Sequence, residues 1–183
     1  MASWLQKLRY ARKPDRQALT GTIFKALAHQ TDALQAGKRA LWIGCQHYTA
    51  DYPALLEATG AEIWTTDIDP AVAKFGRAGR HVSADLTAID AKFEPGFFDL
   101  ALCNGVLGWG VDLEAAQRAA YRAMAAILKP GGVLLIGWNT HKLRDPLVSG
   151  YFAPHFARYE LPGVGARLVV PGATHVFDLF AKV

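Results

Sequence analysis

Short runs of almost continuous apolar residues alternate along this chain with stretches in which apolar residues recur every three or four positions. The first pattern is that of a strand buried on both faces, the second that of an amphipathic helix. Between Pro14 and about Ala36 the helical period runs through Leu19, Ile23, Ala26, Leu27 and Leu34, and Gly37-Lys38 closes it. ALWIG (40–44) reads as a first strand, followed by a helix over 52–59 that starts near Asp51 and Pro53 and stops at Gly60. EIWTTD (62–67) reads as the second strand and leads into DPAVAKFG, where Asp69 suits a cap, Pro70 the first helical position and Gly76 the end. HVSAD (81–85) and FDLALCN (98–104) are the third and fourth strands. Asp112 is placed to cap a helix over LEAAQRAAYRAMAAIL that ends before Lys129-Pro130-Gly131-Gly132, and VLLIGW (133–138) is the fifth strand. An irregular segment spans 139–165, after which ARLVV, a PGAT turn and HVFDLFAKV predict an antiparallel hairpin.

Continuous apolar strands separated by helices imply a parallel sheet covered on both faces. The expected fold is therefore α/β: a Rossmann-like, doubly wound, mostly parallel seven-stranded sheet with a C-terminal antiparallel hairpin. With 183 residues and no internal repeat, the chain suits a single domain over 1–183. Within it, 1–37 is expected to form a helical segment covering the site, and 139–165 an irregular, aromatic-rich lid.

Composition narrows the setting. Hydrophobic residues at 51% and charged residues at 20% are globular values. No apolar run reaches the roughly 18–20 residues of a membrane span, and the N-terminus has no secretory pattern. Cys45 and Cys103 are too few for a disulfide framework, and no His/Cys cluster has metal-ligand spacing. These features lead us to expect a cytoplasmic protein without a structural metal. The net charge of +4 is concentrated at one end, where Lys7, Arg9, Arg12, Lys13 and Arg16 face Asp15 alone. Such an arm can attract nucleic acid, but it equally describes the wet face of a terminal helix.

In sheets of this kind, ligands bind beyond the carboxyl ends of the strands where the strand order reverses, so the residues just after each strand carry the chemistry. Strand one ends at Gly44. Strand two ends at Asp67, 23 residues later, close to the spacing of about 20 at which an acidic side chain meets a ribose in nucleotide-binding units. A carboxylate suits that task because its two oxygens accept from neighbouring hydroxyls. Strand three ends in Asp85-Leu86, and strand four in Asn104-Gly105.

Together LWIGC, TTDIDP, SADL, FDLALCNGVL and ILKPGGVLLI, in this order from about Lys38 to Ile136, resemble the class I S-adenosylmethionine-dependent methyltransferases, in particular the small bacterial type 11-like members. The resemblance implies that S-adenosyl-L-methionine is the cofactor. Gly44 would let the backbone approach its methionine portion, Asp67 would hold the ribose hydroxyls and Ile68 would pack on the adenine. Asp85 and the Leu86 amide would meet the adenine edge, and Asn104 and Gly105 would floor the site near the sulfonium. The turn after Gly44, Cys45-Gln46-His47-Tyr48, departs from the family by lacking further glycines. S-adenosylmethionine has no pyrophosphate, so these four positions still suit a cofactor loop, with Tyr48 able to close over the methionine tail.

Methyl transfer needs a positioned nucleophile and calls for a general base only when the acceptor must lose a proton. His141, three residues past strand five, is the candidate base. Trp109, Asn139 and Tyr151 are candidate residues for a small-molecule methyl acceptor. The alternative is a non-catalytic, methyltransferase-like binding or assembly module. A nucleic-acid acceptor is disfavoured because NGVL stands where a base-flipping Asn/Asp-Pro-Pro-aromatic motif would be, and a nicotinamide enzyme because G-x-G-x-x-G is absent.

Overall fold

The computed structural model describes residues 13–183. The basic stretch through Arg12 lies outside the described residues.

The apolar runs form one mixed sheet. Its strands are β1 (Arg39–Ile43), β2 (Glu62–Asp67), β3 (His81–Ser83), β4 (Phe98–Asn104), β5 (Leu128–Asn139), β6 (Phe156–Arg158), β7 (Arg167–Val169) and β8 (His175–Lys182). The order is β3-β2-β1-β4-β5-β8-β6, with β7 also pairing β8. β1 to β5 run parallel, and β8 runs antiparallel to β5. The order reverses between β1 and β4, which fixes where a ligand crevice opens.

The expectation of seven strands matches the width of the sheet but not the count. β6 pairs residues 180–182 of β8 and β7 pairs residues 176–178, both on the edge that faces away from β5. They are two pieces of one border position, separated by an excursion over 159–166. β6 lies inside the segment read as irregular, because three residues are too few to display a period.

The helical elements follow the expected order with shifted ends. The first, α1, joins an α-helical turn (Pro14–Gln17), a π-helical segment (Ala18–Ile23) and an α-helical segment (Phe24–Gln30), and so stops short of Ala36. α2 spans Tyr52–Glu57, α3 Glu114–Ile127 and α4 Pro146–Ser149, with 3-10 helices at Pro70–Phe75 and Leu86–Ala91. Asp69 caps as expected, accepting from the Ala71 amide at 2.8 Å. Asp112 does not cap α3. Leu113 holds that position, while the Asp112 carboxylate turns back to the Gly110 amide at 3.3 Å. The helix ends before Lys129-Pro130-Gly131-Gly132 as expected, and these residues interrupt the ladder inside β5, where the pairing jumps from Phe98–Leu128 to Leu100–Val133.

Alternating residues of the central strands feed two core layers. Leu41, Ile43, Ala101 and Cys103 pack with α3 on one face. Ala40, Trp42, Leu100 and Leu102 pack with α1 and α2 on the other. Trp42, fully buried, meets Phe24 of α1 and Tyr52 of α2 edge-on at 6.4 and 4.9 Å between centroids. Its indole N–H donates to the Gly44 carbonyl at 2.8 Å, joining this layer to the turn after β1.

The aromatic segment at 139–165 does not form a lid. Phe152 stacks on Phe180 at 4.4 Å and Phe156 is buried in the α3 layer, so its apolar side chains complete the core. Arg167 ties this segment to β8. Its guanidinium forks onto both oxygens of Asp145, at 2.8 and 2.7 Å, and onto Asp178 at 2.6 Å. Asp178 is buried and also accepts from the Trp138 indole at 2.7 Å. The Arg167 hydrogen bonds hold the Asp145 carboxyl below its ordinary range.

Removing one partner of such a buried network strands the others. Asp178→Ala is expected to cost about 3–5 kcal/mol, read as a lower urea midpoint. Arg118→Ala, which breaks an exposed pair with Glu114 on α3, is expected to leave the urea midpoint almost unchanged. Equal costs for the two would contradict the role given to Asp178.

Candidate active site

A cavity of about 810 Å³ opens beyond the tips of the central strands and is roofed by the start of α1. Its walls are best described strand by strand.

After β1, Gly44 lines the cavity with φ at +93°, and a Cβ there would lie 2.8 Å from Val106 Cγ2 and 3.3 Å from the Asn104 carbonyl oxygen. Only glycine fits both the dihedral and the space. The next four residues divide. Cys45 turns into the core, its amide donating to Asp67 Oδ2 at 2.7 Å. Burial, then the Asp67 charge, pushes its thiol up to about 12. Gln46 and Tyr48 line the cavity, with the Gln46 amide held by Thr49 Oγ1 at 3.0 Å. His47 is outside the lining; its ring packs on Tyr48 and Phe75. The bulky turn therefore leaves the hollow open, because two of its four side chains point elsewhere.

After β2, Asp67 lines the cavity while anchoring two turns. Oδ2 accepts from Cys45 and Oδ1 from the Asp69 amide at 2.9 Å. Ile68 beside it is 67% exposed and presents an apolar shelf to the cavity. After β3, Asp85 lines the cavity and also caps the 3-10 helix that starts at Leu86. Its Oδ1 takes the Thr87 amide and hydroxyl at 2.8 and 2.9 Å, and its Oδ2 has no hydrogen-bond donor among the described residues. Leu86 is buried against the same wall.

After β4, Asn104 and Gly105 line the floor. Asn104 Oδ1 lies 2.9 Å from Nε2 of His175, the first residue of β8. His175 was not found from the sequence. It stands beside Asn139 only through the β5–β8 register, and no local pattern marks it. Arg16, the other addition, looked like part of a solvated helix face. In the structure its side chain is 11% exposed. It lines the cavity, bonds the Tyr48 carbonyl and Asp51, and lies 4.5 Å over the Tyr52 ring. Lys13 and Asp15 of the same region complete the roof.

The acceptor-side expectations divide as well. Trp109 and Asn139 line the cavity and touch, the indole N–H donating to Asn139 Oδ1 at 3.2 Å. Asn139 in turn donates to Thr174 Oγ1 at 3.0 Å, and the Lys142 ammonium sits 4.4 Å over the Trp109 ring. His141 is exposed and outside the cavity, because the chain turns sharply at Asn139, whose carbonyl takes the amides of Lys142 and Leu143. Tyr151 is also outside it. Its hydroxyl donates to Glu114 of α3 at 3.0 Å, under the Arg118 guanidinium. Cys103 is buried in the core, where burial pushes its thiol up to about 12. Among the described residues no group of three His, Cys, Asp or Glu is placed to hold a metal, and no helix is long and apolar enough to cross a membrane.

Known proteins place this arrangement. No curated protein matches the chain. Several solved structures do. A TehB-like S-adenosylmethionine-dependent methyltransferase from Corynebacterium glutamicum is 17% identical with a TM-score of 0.68, over 99% of this chain and 100% of that one. The N-methyltransferase NodS from Bradyrhizobium japonicum, in complex with S-adenosyl-L-homocysteine, is 17% identical with a TM-score of 0.68, over 95% of this chain and 90% of that one. A S-adenosylmethionine-dependent methyltransferase from Archaeoglobus fulgidus is 12% identical with a TM-score of 0.62, over the full length of both. At these identities the likeness is one of fold. The family model of a methyltransferase domain matches residues 41–136, more than half of the chain and the stretch running from β1 into β5. With that match, the chain belongs to the methyltransferase domain family and is a methyltransferase.

Proposed function

We propose that the protein transfers a methyl group from S-adenosylmethionine to a small molecule. The reading is carried by one observation: a single cavity collects Gly44, Asp67, Ile68, Asp85 and Asn104 from the successive tips of β1 to β4. The residues fit the donor. Asp67 and Asp85 each keep acceptor capacity toward the hollow, since a carboxylate can take about four hydrogen bonds. That suits ribose hydroxyls at Asp67 and the adenine amino group at Asp85. Ile68, exposed between them, offers an apolar face to the ring. Gly44 and Gly105 leave the backbone accessible on the floor. Arg16 and Lys13 bring positive charge to the roof beside Asp15, two cations to one anion, which favours a methionine carboxylate there.

When bound, S-adenosylmethionine supplies a methyl group on a sulfonium, an electrophile whose thioether leaving group needs no proton. What remains for the chain is to bind, align and shield. The start of α1 covers one side of the space, which suits a small acceptor. Trp109 and Tyr48, both exposed and both lining the cavity, favour a ligand with apolar surface. The cavity weighs against one of the two supports of the non-catalytic alternative, the bulk of the Cys-Gln-His-Tyr turn; the other, the lack of an acidic-plus-histidine pair after β4, is untouched by it.

Isothermal titration with S-adenosylhomocysteine tests the donor half. Binding is expected for the full chain, weakened about 10- to 100-fold in Asp67→Ala through loss of charge-assisted hydrogen bonds. Absence of heat at millimolar ligand overturns the reading. Gly44→Ala is expected to lower stability by about 1–3 kcal/mol by forcing a side chain into a positive-φ position against Val106. A calorimetric Tm unchanged from that of the parent chain would show that the turn tolerates a Cβ.

A further inference from the structure

Among the described residues, one histidine lines the cavity, and donor binding leaves it unused. His175 opens β8, is 7% exposed and lines the cavity on the face shared with α1. Its Nε2 reaches across β5 to Asn104 Oδ1 at 2.9 Å. The crossing is possible because Gly137 lies beneath it. A Cβ there would stand 1.9 Å from Asn104 Oδ1 and 2.8 Å from His175 Nε2, so any side chain would expel the pair.

Asn104 presents its amide oxygen, Oδ1, to the ring. An amide oxygen only accepts, so Nε2 carries the hydrogen and Nδ1 keeps a lone pair. No described residue hydrogen-bonds Nδ1. Burial lowers the His175 pKa below its ordinary value, opposed in part by the charge of Asp15, which faces it from α1. Lys13 and Arg16, the other charged groups of that roof, line the same cavity. The ring is therefore neutral near pH 7, and its open nitrogen is basic.

We infer that His175 is the general base of the reaction, taking at Nδ1 the proton of an aromatic hydroxyl on the acceptor, with Asn104 as the positioning residue that fixes the ring. The inference rests on the methyltransferase reading above. In the step, the O–H bond breaks toward Nδ1 and its electron pair stays on oxygen, which becomes the nucleophile; the imidazolium later releases the proton to water. The acceptor class follows from the base. A carboxylate, a thiolate or a neutral amine attacks through a lone pair it already holds and needs none, and an aliphatic hydroxyl is too weak an acid for an imidazole of lowered pKa. Trp109 offers an exposed ring on which an aromatic acceptor can stack.

The test uses the full chain saturated with S-adenosylhomocysteine and two probes, para-cresol and para-methylanisole, which differ in the hydroxyl hydrogen. Near neutral pH the cresol is expected to bind about tenfold more tightly, the size of one good hydrogen bond. That preference should fade as pH falls and His175 takes a proton. It should vanish in His175→Leu, whose side chain cannot accept. In His175→Gln it should persist without the pH dependence, because an amide accepts but does not titrate. Nitrogen-15 NMR of the parent chain should show hydrogen on Nε2 and none on Nδ1. Equal binding of the two probes, no binding of either, a preference retained in His175→Leu, or hydrogen on Nδ1 each overturns the inference. If the variants lose S-adenosylhomocysteine as well, the NMR result and the parent chain's probe preference decide. Failure of the parent chain to bind S-adenosylhomocysteine instead removes the donor reading, and is recognised as such before any probe is added.

Discussion

The carboxylate of Asp67 is the interaction on which the cavity depends. One oxygen takes the amide of Cys45 and the other that of Asp69, so the turns after β1 and β2 hang from a single side chain. This explains how a turn with one glycine stays out of the way. With its amide drawn to Asp67, Cys45 faces the core, and Gly44 absorbs the reversal at positive φ. A dinucleotide loop uses several glycines to let a pyrophosphate approach. Here the same clearance comes from one glycine and one shared acceptor. The anchoring contacts take only part of the carboxylate's capacity, so the group that shapes the turns is also free to meet a ligand.

The charges around the cavity are sorted in the same economical way. Asp67, Asp69 and Asp85 line the β2–β3 wall, whereas the two cations, Arg16 and Lys13, occupy the roof together with Asp15. Arg16 joins the two halves mechanically, since its guanidinium holds the turn after β1 through the Tyr48 carbonyl and Asp51 while resting on Tyr52. Tyr52 in turn packs on Trp42, whose indole bonds Gly44. The roof, the turn and the inner core layer are thus one contiguous set of contacts.

Most of the fold was legible in the sequence because both periods are strong. Strands buried on two faces leave no ambiguity about which runs are central, and the residues at their tips follow at once: Gly44, Asp67, Asp85 and Asn104 all line the cavity. What escaped is what depends on contacts distant in sequence. His175 meets Asn104 across 71 positions, and Arg16 meets Tyr48 across 32. No local pattern announces either. His141 and Tyr151 failed for the complementary reason. Nearness to β5 along the chain points to His141, but the turn at Asn139 carries it out of the cavity; Tyr151 is suggested by the aromatic segment read as a lid, and aromatic residues without a period show no facing direction. The Asp112 cap failed because a cap depends on where the carboxylate points, which composition does not specify.

The borders of the sheet carry a further consequence. On one side lies β3, three residues long; on the other, the border is broken into β6 and β7, also three residues each. A foreign strand seeking to add to either flank finds only a few unpaired backbone groups in line before the ladder is interrupted. The short flanks protect the long apolar strands between them from pairing edge to edge with other copies, so a chain whose middle is nearly continuous hydrocarbon is shielded from runaway polymerisation by the way its sheet ends.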